Sequence, residues 1–117
     1  MKELTEKYIA FFNDKDLDSI IGLLHDDAIL IDPINRFVGK EEVTGEIKKI
    51  FESCKDLSFS AKNIFYDNER QTSFIEFVID IYPAKDLQAI HLEGTDVIEW
   101  EGDKIKNLRA YLNLPNQ

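Results

Sequence analysis

Leu4, Tyr8, Phe11 and Phe12 repeat at the spacing of one helical face, and the polar cluster Asn13-Asp14-Lys15-Asp16 interrupts the repeat, which predicts a first helix ending there. Asp16 can cap a second, shorter helix whose apolar positions Leu17, Ile20, Ile21 and Leu24 share a face, with His25-Asp26-Asp27 closing it. Residues 28–32 make a short β-type run ended by Pro33, which has no N–H to give a sheet ladder. Past a loop, Gly39 leads into Lys40-Glu41-Glu42, where acids complement the dipole of a helix start. Val43, Ile47, Ile50, Phe51 and Cys54 then carry the apolar stripe of a third helix.

After Cys54 the apolar period changes from about 3.6 to 2. Strands are expected over 57–66, 72–82, 88–100 and 105–113, separated by Asp67-Asn68, Pro83 and Glu101-Gly102-Asp103. Helices followed by an antiparallel meander predict an α+β fold with the helices on one face of a curved sheet. Alternation puts Ile90, Leu92, Gly94, Asp96, Ile98 and Trp100 on one face, and His91, Glu93, Thr95, Val97 and Glu99 on the other. Asp96 therefore lies on the apolar side, where it must be hydrogen-bonded or hold its proton.

Composition adds limits. The 117 residues are 44% hydrophobic and 32% charged, which suits one globular domain, residues 1–117, with a core that needs no disulfide or structural metal. With 23 acidic residues against 14 basic, a net charge of −9 and no cluster of cations, nucleic acid is excluded as a partner class, since phosphate binding depends on gathered Lys and Arg. Lys2, Glu3, Glu6 and Lys7 leave no apolar leader, and the longest charge-free run, 110–117, is too short to span a bilayer, so no membrane partner is expected. The single Cys54 reads as a small buried hydrophobe and fits a reducing, cytoplasmic setting.

Three polar residues fall where chemistry is possible. Asp32 precedes Pro33 and reads either as a turn former or, if Ala28, Leu30 and Asp32 face inward, as a general base opening into an enclosed cavity. Tyr8 lies on the apolar stripe of the first helix, as core or as a phenol donating to a substrate oxygen. Asp96 is the inward acid of the third long strand.

Around these residues the chain resembles the nuclear transport factor 2-like superfamily, and within it the SnoaL-like and ketosteroid isomerase group. The resemblance is carried by Tyr8-Ile9, His25-Asp26-Asp27-Ala28 leading to Asp32-Pro33, and Gly39-Lys40-Glu41-Glu42. It continues in Gly94-Thr95-Asp96-Val97-Ile98-Glu99-Trp100, Lys104-Ile105 and Arg109-Ala110-Tyr111. It implies a cone-shaped barrel of a strongly curved, mostly antiparallel sheet, with three helices from the N-terminal half closing an apolar pocket, assembled as a homodimer through the outer sheet face. It further implies a cofactor-free, metal-free isomerase or cyclase acting on a small hydrophobic carbonyl compound. Asp32 is then the base, Tyr8 the phenolic donor and Asp96 the protonated acid donor, with Phe12, Leu24, Phe51, Leu92, Trp100, Leu108, Ala110 and Leu112 as pocket wall. Moving a proton from carbon beside a carbonyl needs this set: a base at the carbon and donors where negative charge develops on oxygen.

The chain also departs from its relatives. Leu24 and Ile47 stand where some isomerases extend the phenol network with tyrosines, and the stretch from Pro33 to Gly39 is shorter. Gly94 and Asn113 stand where an epoxide hydrolase branch carries an arginine and an acid, which disfavours that chemistry. His25 and His91 have no third matching ligand, the glycines match no phosphate-binding spacing, and no serine elbow is present. Two other readings of the same fold stay open: a non-catalytic hydrophobic-ligand carrier, and a dimeric accessory module using Phe74, Val78 and Tyr82, interrupted by Glu76 and Asp80.

Overall fold

The structure, a computed structural model, describes residues 1–84 and 88–113. The helices are α1 (Lys2–Asn13), α2 (Leu17–Leu23) and α3 (Lys40–Glu52). The strands are β1 (Leu24–Ile31), β2 (Arg36–Val38), β3 (Cys54–Asp67), β4 (Thr72–Pro83), β5 (Ile90–Glu101) and β6 (Lys104–Asn113). All six described strands belong to one sheet in the order β2-β1-β6-β5-β4-β3. Neighbours are antiparallel except β1 and β6, which are parallel, so the expected meander closes on a first strand brought back beside the last. The helices pack on the inner face, giving the α+β architecture expected. No helix among the described residues is long and apolar enough to cross a membrane.

The first turn of α2 follows from Asp16, whose carboxylate accepts from the Ser19 N–H at 3.2 Å and the Ser19 hydroxyl at 2.6 Å. That helix then passes directly into strand. Leu24 already has extended backbone and pairs with Ile105, so His25-Asp26-Asp27 is the start of β1 and not a helix end. A register shift between Leu24 and Ile29 leaves Asp26 and Asp27 both exposed, which breaks the alternation that would have marked a strand. Cys54 also changes place: α3 ends at Glu52, and the buried thiol begins β3. β2, three residues paired with the end of β1, lies in what reads as loop, and it is too short to leave a periodic signal.

The tightest turn joins β5 to β6 through Gly102 and Asp103, with Glu101 paired to Lys104. Gly102 takes the positive φ of +62° that such a two-residue hairpin needs. At the other edge of the sheet, Asn13 acts as a surrogate strand. Its Nδ2 donates to the Phe59 carbonyl at 2.5 Å and its Oδ1 accepts from the Phe59 N–H at 2.8 Å, so the residue that ends α1 also satisfies the open side of β3.

The interior has two zones. One end is filled by Leu24, Ile20, Ile75, Ile98, Ile105 and Trp100, all buried. A hydrogen-bond chain crosses it. Trp100 Nε1 donates to Ser73 Oγ at 2.7 Å, and Thr5 Oγ1 donates to the Met1 carbonyl at 2.9 Å. The Ser73 hydroxyl must therefore donate across the 2.8 Å separation to Thr5, fastening the start of α1 to β4 and β5. The other end holds the aromatic cluster of Phe12, Phe51, Phe59 and Phe77 and is not filled.

Candidate active site

At the unfilled end the sheet and helices enclose a cavity of about 180 Å³. Its floor is buried: Tyr8, Phe12, Leu30, Ile47, Phe59, Phe77, Ile79, Asp96 and Leu108. Its rim is formed by partly exposed residues, namely Asp32, Glu46, Ile50, Ile81, Leu92, Ala110 and Leu112. Strand alternation explains much of this wall. Ile79 pairs with Leu92, Asp96 with Ala110 and Ile98 with Leu108, so the inward residues of β4, β5 and β6 line up across the sheet.

Tyr8 comes from α1, Asp32 from the turn after β1 and Asp96 from β5, and all three border this one cavity. Asp96 is 5% exposed and Tyr8 2%, and neither side chain has a hydrogen bond among the described residues. Neither oxygen is a sealed orphan, so the surface each retains opens on the cavity. Burial pushes the Asp96 carboxyl up from 3.8 to about 7. Burial, and then the charge of Asp96, hold the Tyr8 phenol well above its ordinary value, so it keeps its proton.

Asp32 forms a turn and also borders the cavity. Its Oδ1 accepts from the Ile34 N–H at 2.8 Å and the Asn35 N–H at 2.7 Å, forming a turn, while Oδ2 has no hydrogen bond among the described residues. The turn fixes the carboxylate at the rim.

Of the residues expected in the wall, Phe12, Leu92, Leu108, Ala110 and Leu112 line the cavity, and Leu24, Phe51 and Trp100 do not. Leu24 is at the far end of β1, about 20 Å from the end that carries Leu30, at roughly 3.3 Å per residue. Trp100 shares a face with Asp96 but lies four residues along β5, in the filled end. Phe51 is one layer back, edge-on to Phe12 with centroids 5.1 Å apart. The sequence reading missed Glu46, on α3, which reaches the rim from the same face as Ile47 and Ile50. Its i, i+4 relation to Ile50 was the available signal.

Gly94 has a steric reason. A Cβ there would collide with the Tyr111 carbonyl and come within 3.1 Å of both the Leu112 and Phe77 side chains, so no arginine can be carried at this position without moving backbone. Among the described residues no three His, Cys, Asp or Glu side chains are grouped to hold a metal ion.

The model of the SnoaL-like domain family matches residues 5–108. No curated protein matches the chain significantly. Among solved structures, an isomerase candidate from Bacillus subtilis superposes with a TM-score of 0.82 at 24% identity, over 95% of this chain and 84% of that one. An LEH-like epoxide hydrolase from M. tuberculosis gives 0.81 at 14% identity, over 95% and 80%. A candidate SnoaL-like polyketide cyclase from Shewanella putrefaciens gives 0.81 at 10%, over 96% and 88%. At these identities the likeness is one of fold.

Proposed function

Because this chain belongs to the SnoaL-like domain family, we propose that it is a cofactor-free isomerase or cyclase-type enzyme that abstracts a proton alpha to the carbonyl of a small hydrophobic substrate. The observation that carries the reading is the pair of buried, unpartnered donors, Tyr8 and Asp96, facing the same apolar cavity as the fixed carboxylate of Asp32. The substrate carbonyl oxygen takes hydrogen bonds from the Tyr8 phenol and the protonated Asp96. The unbound Oδ2 of Asp32 receives the proton from the neighbouring carbon. Negative charge then develops on oxygen in apolar surroundings, where each preplaced donor is worth roughly 2.7–4 kcal/mol. The proton returns to a different carbon in an isomerase, or the carbanion attacks within the substrate in a cyclase.

Size narrows the substrate. A cavity of about 180 Å³ is close to the ~150 Å³ void that takes up benzene. One ring is enclosed, and anything larger projects past the rim.

The test is conversion of 3-cyclohexen-1-one to 2-cyclohexen-1-one, followed by ultraviolet absorbance. Asp32→Asn is expected to cut turnover by about 10²–10⁴ while ketone binding changes little. Bound ketone with no conversion would instead favour the non-catalytic ligand carrier. The turn at Asp32 supports that second reading, because both Oδ1 bonds are structural.

Assembly belongs to the same proposal. Phe65, Tyr82 and Tyr111 leave aromatic surface exposed on the outer sheet face, which supports a homodimer through that face.

A further inference from the structure

Among the described residues, every polar side chain that lines the cavity is acidic or phenolic: Tyr8 and Asp96 on the floor, Asp32 and Glu46 on the rim. No Lys, Arg or His is among the described lining residues. Glu46 has no ion pair or hydrogen bond among the described residues, although other surface acids of the chain do, as in Glu3 with Lys7 and Glu93 with Lys62. It also stands four residues after Glu42 on α3, a like-charge spacing that a helix tolerates at a small cost. Glu42 is occupied in accepting from the Val38 N–H at 3.0 Å, so of this pair Glu46 is the rim acid left without a partner among the described residues.

We infer that the cavity selects organic cations, small apolar bodies carrying an amine, with Glu46 as the residue that determines this specificity. The inference deepens the reading given above and rests on its premise that the cavity holds a ligand. The buried Asp96 and Tyr8, both unpartnered and opening on the same space, point to that ligand independently of the rim acids. The apolar floor takes the hydrocarbon body. The ammonium group stays at the rim, where Glu46 and the free side of Asp32 face it and low-dielectric walls strengthen the attraction. A carboxylate at the same place meets two acids and, among the described residues, no donor cation, so anionic substrates are rejected. The net charge of −9 reinforces this preference at long range. An organic cation is indicated over a metal ion, because no three acids are grouped as ligands among the described residues.

The probes are 2-phenylethylamine, 2-phenylethanol and 3-phenylpropanoate, one ring each, titrated by calorimetry at low salt and neutral pH. The amine is expected to bind about tenfold more tightly than the alcohol, and the carboxylate about tenfold more weakly or not at all. Glu46→Gln should remove most of the amine's advantage while alcohol affinity stays within about twofold. Raising salt toward 0.5 M should weaken the amine and spare the alcohol. Saturating alcohol must displace the amine, since an amine held elsewhere on the acidic surface would not compete. Equal binding of amine and alcohol, or an amine that the alcohol does not displace, overturns the inference and leaves the proposed enzyme standing. Failure of all three to bind overturns both.

Discussion

At position 96 an acid faces the interior without a hydrogen bond among the described residues, and burial pushes its carboxyl to about 7 from an ordinary 3.8. Between those values the folded chain holds a proton that the unfolded chain gives up. The stability contributed by this group is therefore fully present below about 4 and is lost as pH rises through about 7. At about 1.4 kcal/mol per unit, the loss amounts to roughly 4 kcal/mol. Asp96→Asn, neutral at every pH, should match the parent below about pH 4 and exceed it by roughly 4 kcal/mol at pH 8.5, with part of that gap already open at pH 5, read from urea midpoints at unchanged slope. A parent and variant that stay parallel from pH 5 to 8.5 would show that Asp96 is solvated. The conflict itself was legible in the sequence, since alternation puts Asp96 among apolar neighbours. That nothing relieves the conflict was not, because the possible partners come from other elements. Asp32 shows the same division. Asp-Pro announced a turn, and the turn's position beside the cavity depends on β1 lying next to β6.

Among the elements, those with sustained periodicity were readable: α1 and α3, and the long strands β4, β5 and β6. The failures sit at bulges and very short segments. β1 is masked by its register shift, and β2 by its length. β3 changes face at the irregularity between Ala61 and Asn63, so Leu57 and Phe59 point inward before it while Phe65 is exposed beyond it. Edge protection was also hidden. Asn13 reads as a helix stop, and its pairing with Phe59 crosses from one end of the sheet's helical cover to the outermost strand. Asn13→Ala removes both bonds and leaves the Phe59 amide and carbonyl without a protein partner. A loss of roughly 1–3 kcal/mol is expected in urea unfolding. Asp at this position, which restores the acceptor and not the donor, should recover part of it. A midpoint unchanged by Asn13→Ala would mean that water serves this edge equally well.

For the whole molecule, the outer sheet face carries the prediction about assembly. Phe65, Tyr82 and Tyr111 are 55%, 41% and 57% exposed, on the side away from the helices. Sedimentation is expected to give twice the 13.6 kDa chain mass, and Tyr111→Glu to weaken the dimer at least about tenfold. A parent that sediments as a monomer at about 100 μM would exclude this face as a stable interface. Helical and strand periods are local properties of neighbouring residues, so they set the kind of α1, α3, β4, β5 and β6 and the side of each that faces inward. Tertiary structure alone decided depth and company. Trp100 and Asp96 share one face of one strand, yet one plugs the closed end and the other borders the cavity. Tyr8, Asp32, Glu46 and Asp96 meet because strand register and helix packing, set between distant parts of the chain, bring four separate elements to one opening.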